Sequence, residues 1–363
     1  MSPTRHFFLA LAAIVAASGC NGFLTGPGID KDPNNPNGLK RPGPLYTGIQ
    51  SLQSVQFEGQ LARNALMYAQ QIAGVSRQQI GYDRGNSSPA DLDTYFNAVY
   101  GSARISTGGG GLLDIRKMQQ LARRVNDSLY IGLGKVYEAL VMGTAADIWG
   151  DVPYREAADS NNLTPHFDGQ LQIYQDVLAQ LDSAITIYLA APSGGTNLGP
   201  PQDNAEVIYA GRDADGLRQV YTRVAHSLRA RFYMHLAEVD PANYALALAE
   251  VPLGIASPAD DMLWFHDLTA TGQSVWWQFM ATRGDIAPGA ALVEILKRRI
   301  VQGLEDDARL NFYFATGSGS TDPADFYGFR PGGAVDLVTS GGIYNGTAPG
   351  ANYAGFTFID GFA

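Results

Sequence analysis

The stretch that most constrains this chain is a long apolar helix that stops abruptly in a corner. Leu133, Val136, Tyr137, Leu140, Val141, Thr144 and Ile148 recur at helical spacing, which predicts one apolar face on a helix over residues 129–149 that ends at Trp149. Gly150 is placed to close that helix in a left-handed conformation, and Pro153 cannot rejoin it. Residues 143–157 are therefore expected to form a tight, semi-rigid corner. Trp149 and Tyr154, which bracket Gly150-Asp151-Val152-Pro153, read as packing anchors rather than as chemistry. Asp147 and Asp151 have the residue type of a catalytic carboxylate pair, but Asp at such a corner readily bonds backbone amides, so caps and turn hydrogen bonds are expected of both.

Further helices are predicted on both sides. A helix over 49–73 places Phe57, Leu61, Ala65, Tyr68 and Ile72 on one face, a loop follows over 74–89, and a helix over 91–104 carries Tyr95, Phe96, Val99 and Tyr100. Residues 112–125 and 129–149 form consecutive helices joined across Asn126-Asp127-Ser128, a good cap cluster. Helices over 169–189 and 216–238 complete the set. Paired helices of this length stack as a solenoid, each covering its neighbour's apolar stripe, so the fold class is mainly α.

Residues 1–19 stand outside that fold. Arg5 gives a positive start, residues 7–17 are a short apolar run, and Ala17-Ser18-Gly19-Cys20 closes it with small residues before a cysteine, the pattern of a bacterial lipoprotein signal. The run is too short for a permanent span, which needs about 20 residues. Cys20 is the one cysteine in the chain, so no disulfide, thiolate metal site or cysteine nucleophile is available, and its expected role is to carry the lipid that attaches the chain to a membrane. Residues 20–44 read as a tether rich in turn formers, Asp30 to Gly38 above all. A calcium loop there fails, because Asn35 stands where the glycine belongs and Arg41 where the closing glutamate belongs. The folded domain is expected over 45–363.

A net charge of −10 argues against nucleic acid and against a basic membrane patch. Forty-two glycines and eighteen tyrosines suggest long loops decorated with half-exposed aromatics. Enzymatic readings are poor. The histidines His6, His166, His226, His235 and His266 form no metal-binding pattern, no nucleophile elbow is present, and the glycine run 108–111 lacks the Gly-Lys-Ser/Thr ending of a phosphate loop. Glu305, Asp306 and Asp307 read as a solvated run, although two carboxylates are all that glycoside hydrolysis requires. No catalytic residue, cofactor or metal is expected.

The corner Asp147-Ile-Trp-Gly-Asp-Val-Pro-Tyr-Arg-Glu-Ala157 resembles the corner motif of the SusD/RagB family of nutrient-binding outer-membrane lipoproteins. Tyr221-Thr-Arg-Val-Ala-His-Ser-Leu-Arg-Ala-Arg-Phe-Tyr233 is similar to that family's helix of the form aromatic-x-x-x-Ala-x-Ser-Leu-x-x-Arg, with His226 where Asn is commoner. Residues 165–185 and 296–314, the latter with Asp307-Ala-Arg309, resemble two further family segments. The resemblance implies a tetratricopeptide-like helical-repeat scaffold with long irregular loops, in which the corner marks architecture and binds no ligand. It also implies a lipid-anchored protein of the outer-membrane surface that captures an oligosaccharide or similar nutrient and passes it to a SusC-like TonB-dependent transporter. Members usually continue through a further helical segment, so this chain is expected to be truncated at its C-terminus.

Sugar binding needs aromatic faces for the ring and amides, carboxylates or Arg for the hydroxyls. Tyr82, Asp83 and Arg84 in the first long loop supply such groups, as do Trp264, Trp276, Trp277 and Gln278 in a later one. Adjacent Trp276 and Trp277 point to different faces in any regular structure, so both are not expected in the core. A second reading, from another class, is a non-catalytic helical-repeat scaffold that assembles partners at the outer membrane.

Overall fold

The computed structural model describes residues 41–101, 109–159, 161–191, 198–267 and 272–297, the last range without 284, together with residue 269 and short pieces at 307, 309–310, 314–316, 328–330 and 354–356. The chain divides into two units, Met1–Pro42 and Gly43–Ala363, and everything below concerns the second. The lipoprotein signal, Cys20 and nearly all of the expected tether lie outside the described residues, as do Glu305 and Asp306.

The protein is mainly helical. In chain order the helices are α1 (Gly43–Glu58), α2 (Gln60–Tyr68), α3 (Arg77–Asp83), α4 (Asp93–Tyr100), α5 (Leu112–Arg124), α6 (Ser128–Trp149), α7 (Gln170–Ser183), α8 (Pro200–Asp203), α9 (Ala214–Leu236), α10 (Asn243–Glu250), α11 (Val275–Thr282) and α12 (Ala290–Lys297). Two small antiparallel sheets pair β1 (Ile72–Gly74) with β2 (Ile286–Pro288) and β3 (Phe314–Thr316) with β4 (Ala354–Phe356).

Helix α6 is the centre of the core. Asp127 caps it, with Oδ1 accepting from the Leu129 and Tyr130 amides at 3.1 and 3.2 Å and Oδ2 from Gly199 at 3.0 Å. The expected single apolar face is corrected. Leu133, Val136, Tyr137, Leu140 and Val141 are buried, but so are Ile131, Ala139, Met142, Ala145 and Ala146 on the other sides, while Ile148 is exposed. The reason is that α5, α7, α9 and a π-helical turn over Ala184–Leu189 all pack on α6, so little of it remains for solvent. Small residues make this possible. A Cβ on Gly143 would overlap the ring of Phe232 from α9, so only glycine lets those two helices approach as they do.

Buried tyrosines tie the layers together. The Tyr46 hydroxyl of α1 lies 2.8 Å from both Glu206 and the Tyr221 hydroxyl of α9, with its one proton serving one of them, and the Tyr137 hydroxyl of α6 lies 3.2 Å from that of Tyr221. Burial pushes all three hydroxyls well above the ordinary tyrosine range, so they stay protonated and donate.

The corner forms at the end of α6. Gly150 has φ 72° and ψ −117°, a positive-φ conformation outside the left-handed helical well expected for it, and one that a side chain would strain. Val152 then pairs with Asp168 in an isolated antiparallel bridge, and the Asp168 carboxylate accepts from the Tyr154 and Arg155 amides, both at 2.9 Å. Asp151 accepts from the Gln170 amide at 2.8 Å, so it caps α7 across nineteen residues of sequence. Pro153 offers its carbonyl to the Tyr100 hydroxyl at 2.8 Å. Trp149 stands edge-on to Phe96 at 5.4 Å, and Tyr154 is buried. Asp147 departs from the expected cap. It bonds no backbone amide and instead gathers Tyr174 of α7 and Arg231 and His235 of α9, each at 2.7 Å. Its position inside α6 explains this, since helical amides there already have partners.

Several boundaries also move. The helix expected over 49–73 breaks at Gly59 into α1 and α2 and ends in strand β1, and the loop expected over 74–89 contains α3. The helix expected over 91–104 is a 3₁₀ turn over Pro89–Leu92 followed by α4, closed by Gly101 in the left-handed conformation.

Candidate functional site

The expected apolar face of the first helix is reversed. Phe57 and Tyr68 are 43% and 53% exposed, while Gln53, Gln56, Gln60, Arg63 and Asn64, on the neighbouring stripe of α1 and α2, are all at most 8% exposed. Buried amides are normally paired, and Gln50 one turn earlier shows what pairing looks like. Its Nε2 donates to the Ala205 carbonyl at 2.9 Å, and its Oε1 accepts from the Val207 and Ile208 amides. Beyond it the pattern stops. Among the described residues Gln53 Nε2, Gln56 Nε2, Asn64 Nδ2 and Arg63 Nε and Nη1 have no hydrogen-bond partner, nor does either amide atom of Gln79 on the neighbouring α3.

What bonds exist hold the stripe together internally. Gln60 Nε2 donates to Asn64 Oδ1 at 2.5 Å, and Arg63 Nη2 donates to Gln60 Oε1 at 3.2 Å. Arg63 carries its guanidinium 4.0 Å from the centre of the Phe279 ring of α11, and burial lowers its affinity for its proton. Tyr95 of α4 lies close enough to Arg63 and the Gln60 backbone to feel both, with burial lifting its hydroxyl above the ordinary range. The result is a row of amide and guanidinium donors, with Arg63 over the Phe279 ring. Each unpaired buried donor costs on the order of 1–3 kcal/mol, so the row favours oxygen acceptors to which it can donate.

The residues singled out from sequence distribute unevenly around this row. Tyr82 is buried in α3 within a cluster of Met67, Ile72 and Ile286, not presented from a loop, and its hydroxyl donates to Asp91 at 3.2 Å. Trp276 of α11 is half-buried against the same cluster, so strand pairing brings together two candidates 194 positions apart. Asp83 is half-buried at the end of α3, and Arg84 just beyond it is exposed. Trp264 is half-buried against the main core, two residues before His266, whose Nε2 meets Glu58 at the end of α1 at 2.9 Å. Gln278 is exposed and donates to the Gln273 carbonyl at 3.0 Å. The backbone of Trp277 belongs to α11, and its side chain lies outside the described residues.

The sequence reading passed over Gln53, Gln56, Gln60, Arg63 and Asn64. A signal was there: these residues share a helical stripe as regular as the apolar one beside it.

Three comparisons bear on identity. Residues 48–340 match the SusD-like family described as starch-binding and associating with the outer membrane. This chain belongs to the SusD-like family. Among solved structures it is similar to a chitin-binding protein at 19% identity, covering 87% of this chain and 64% of that one, with a TM-score of 0.66. It is also similar to a SusD/RagB family protein from Bacteroides thetaiotaomicron (18% identity, 86% and 61% covered, TM-score 0.64) and to a SusD homologue from Bacteroides fragilis (18%, 87% and 62%, 0.58). At such identities the likeness is one of fold, the helical scaffold of SusD-like proteins, and this chain spans less than two thirds of the length of those structures. No curated protein matches. Among the described residues no helix is long and apolar enough to cross a membrane.

Proposed function

We propose that this SusD-like chain binds a glycan beside the aromatic helix α11, at a site that the amide row of α1 and α2 backs. The observation that carries the reading is the set of unpaired donors on Gln53, Gln56, Arg63 and Asn64 beside the Phe279 ring. Sugar hydroxyls supply acceptors for such donors, and the apolar face of a pyranose stacks on an aromatic ring. The family's starch-binding description and the chitin-binding neighbour support a polysaccharide fragment as the ligand. In this reading Cys20 carries the lipid, the chain sits at the outer-membrane surface, and the captured glycan passes to a SusC-like TonB-dependent transporter without being cleaved. Tyr82 and Trp276 contribute the apolar floor in this reading, and Asp83, Arg84, Trp264, Trp277 and Gln278 are kept as proposed ligand contacts.

Co-sedimentation with insoluble starch and with chitin tests this. The wild-type chain is expected in the pellet with at least one of them, and an Asn64→Leu, Gln56→Leu double variant in the supernatant. A folded wild-type chain that stays in solution with both, or a variant that pellets equally, contradicts the proposal and favours a scaffold that only assembles partners.

A further inference from the structure

A second concave site lies elsewhere, on the face shared by α5, α6 and α7. It is a cleft of about 320 Å³ lined by Arg116, Gln119, Arg123, Lys135, Glu138 and Gln180. All six are polar, and three are cations in a chain whose net charge is −10. One cation is neutralised: Arg116 pairs with the buried Glu138 at 3.2 Å and is pinned further by the Tyr154 and Ala157 carbonyls. Glu138 spends its other oxygen on Gln119 Nε2 at 2.7 Å.

Arg123 and Lys135 are different. Arg123 donates to Gln119 Oε1 at 3.1 Å and Lys135 to Gln180 Oε1 at 2.6 Å, both neutral acceptors, and neither has an ion pair among the described residues. Lys135 is half-buried beside the Tyr188 ring. Burial lowers its affinity for its proton, Glu138 in the same cleft opposes that, and the like charge of Arg123 adds a smaller lowering. Two cations that line one cleft, each bonded to an amide oxygen and each with spare N–H groups, suit a single carboxylate. The cleft volume suits one sugar ring, and Gln119 and Gln180 stand at its wall where ring hydroxyls would lie.

We propose that the cleft between α5, α6 and α7 binds an acidic sugar, its carboxylate held between Arg123 and Lys135. This site is separate from the amide row of α1 and α2 and does not depend on it. It would let the chain recognise a uronate-bearing glycan through a contact that neutral starch or chitin does not make.

Saturation-transfer NMR on the intact chain tests the proposal with glucuronate and glucose as observed probes and inorganic phosphate as a competitor against glucuronate. Glucuronate is expected to bind, glucose at least tenfold more weakly, and the glucuronate signal is expected to fall as salt rises. Arg123→Gln, an exposed change, is expected to weaken glucuronate tenfold, and Lys135→Met to do the same where it folds by circular dichroism. Equal binding of glucose, phosphate binding as tight as glucuronate, or an unchanged affinity in Arg123→Gln each overturns it. Starch or chitin co-sedimentation is expected to be unaffected by Arg123→Gln, so failure here and failure at the amide row are read separately.

Discussion

Asp147 offers the sharpest test of how the corner is held. Its carboxylate accepts from Tyr174, Arg231 and His235, and so joins α6 to both α7 and α9. Removing it in Asp147→Ala strands three donors. Tyr174 is buried and loses a hydrogen bond to a charged group, a loss of about 1.5 kcal/mol or more. The side chains of His235 and Arg231 are 33% and 37% exposed, so water partly replaces what they lose, and each contributes roughly 0.5–1 kcal/mol. The total is about 3 kcal/mol, which for a unit spanning Gly43–Ala363 lowers the melting temperature by roughly 4–5 °C. Asp151→Ala, which removes one helix cap, is expected to cost about 1 kcal/mol. The pH arm has a definite sign. Burial raises the Asp147 pKa, but hydrogen bonds from His235 and Tyr174 and the charges of His235 and Arg231 outweigh it and hold it below the ordinary value. A carboxylate depressed in the folded state contributes its stability above the unfolded pKa of about 3.9 and loses it as pH falls through the folded value. Melting curves by circular dichroism should therefore separate wild type from Asp147→Ala widely at pH 7 and less at pH 3. An Asp147→Ala loss no larger than that of Asp151→Ala would refute the three-helix junction and leave Asp147 as a simple cap.

Two further outcomes follow from the core. Gly143→Ala drives a methyl group into the Phe232 ring and is expected to cost on the order of 1–3 kcal/mol in urea unfolding, whereas Gly169→Ala, with nothing near its Cβ, should cost little. Glu206 is buried, which raises its pKa above the ordinary glutamate value despite donors from Tyr209, Tyr46, Tyr221 and Ile208. A carboxyl raised in the folded state favours folding below its unfolded pKa of about 4.3 and loses that advantage as pH rises toward the folded value. Wild type should thus lose stability relative to Glu206→Gln between pH 4 and pH 7, and a parallel pair of curves would contradict it.

Some of this was legible in the sequence and some was not, for physical reasons. Helix α6 and its corner were, because a continuous apolar run, a capping Asp127 and a Gly-x-x-Pro stop are all local signals. Its burial on most sides was not, since the burial depends on which helices arrive from residues 112–124, 170–189 and 214–236. The face of α1 and α2 was misread because periodicity marks two stripes on such a helix, and the apolar one is the natural choice for the core. Here the amide stripe turns inward, with Arg63 over the Phe279 ring of α11. Tyr82 was placed in a loop because its surroundings are rich in turn formers, yet β1 pairs with β2 more than 200 residues away, and no local pattern carries that information. The pairing of Asp147 with α9 was hidden in the same way, since Arg231 and His235 lie 84 and 88 positions downstream.

The account rests on the amide row backing a glycan-binding site, and tryptophan fluorescence of the intact chain titrated with malto- and chito-oligosaccharides tests that most directly. The half-buried Trp276 beside this region is the reporter. A saturable change with one of the two series, weakened at least tenfold in Asn64→Leu while the melting temperature stays close to wild type, is the predicted result. A folded wild-type chain that responds to neither series, or an Asn64→Leu chain that binds as tightly as wild type, would contradict it.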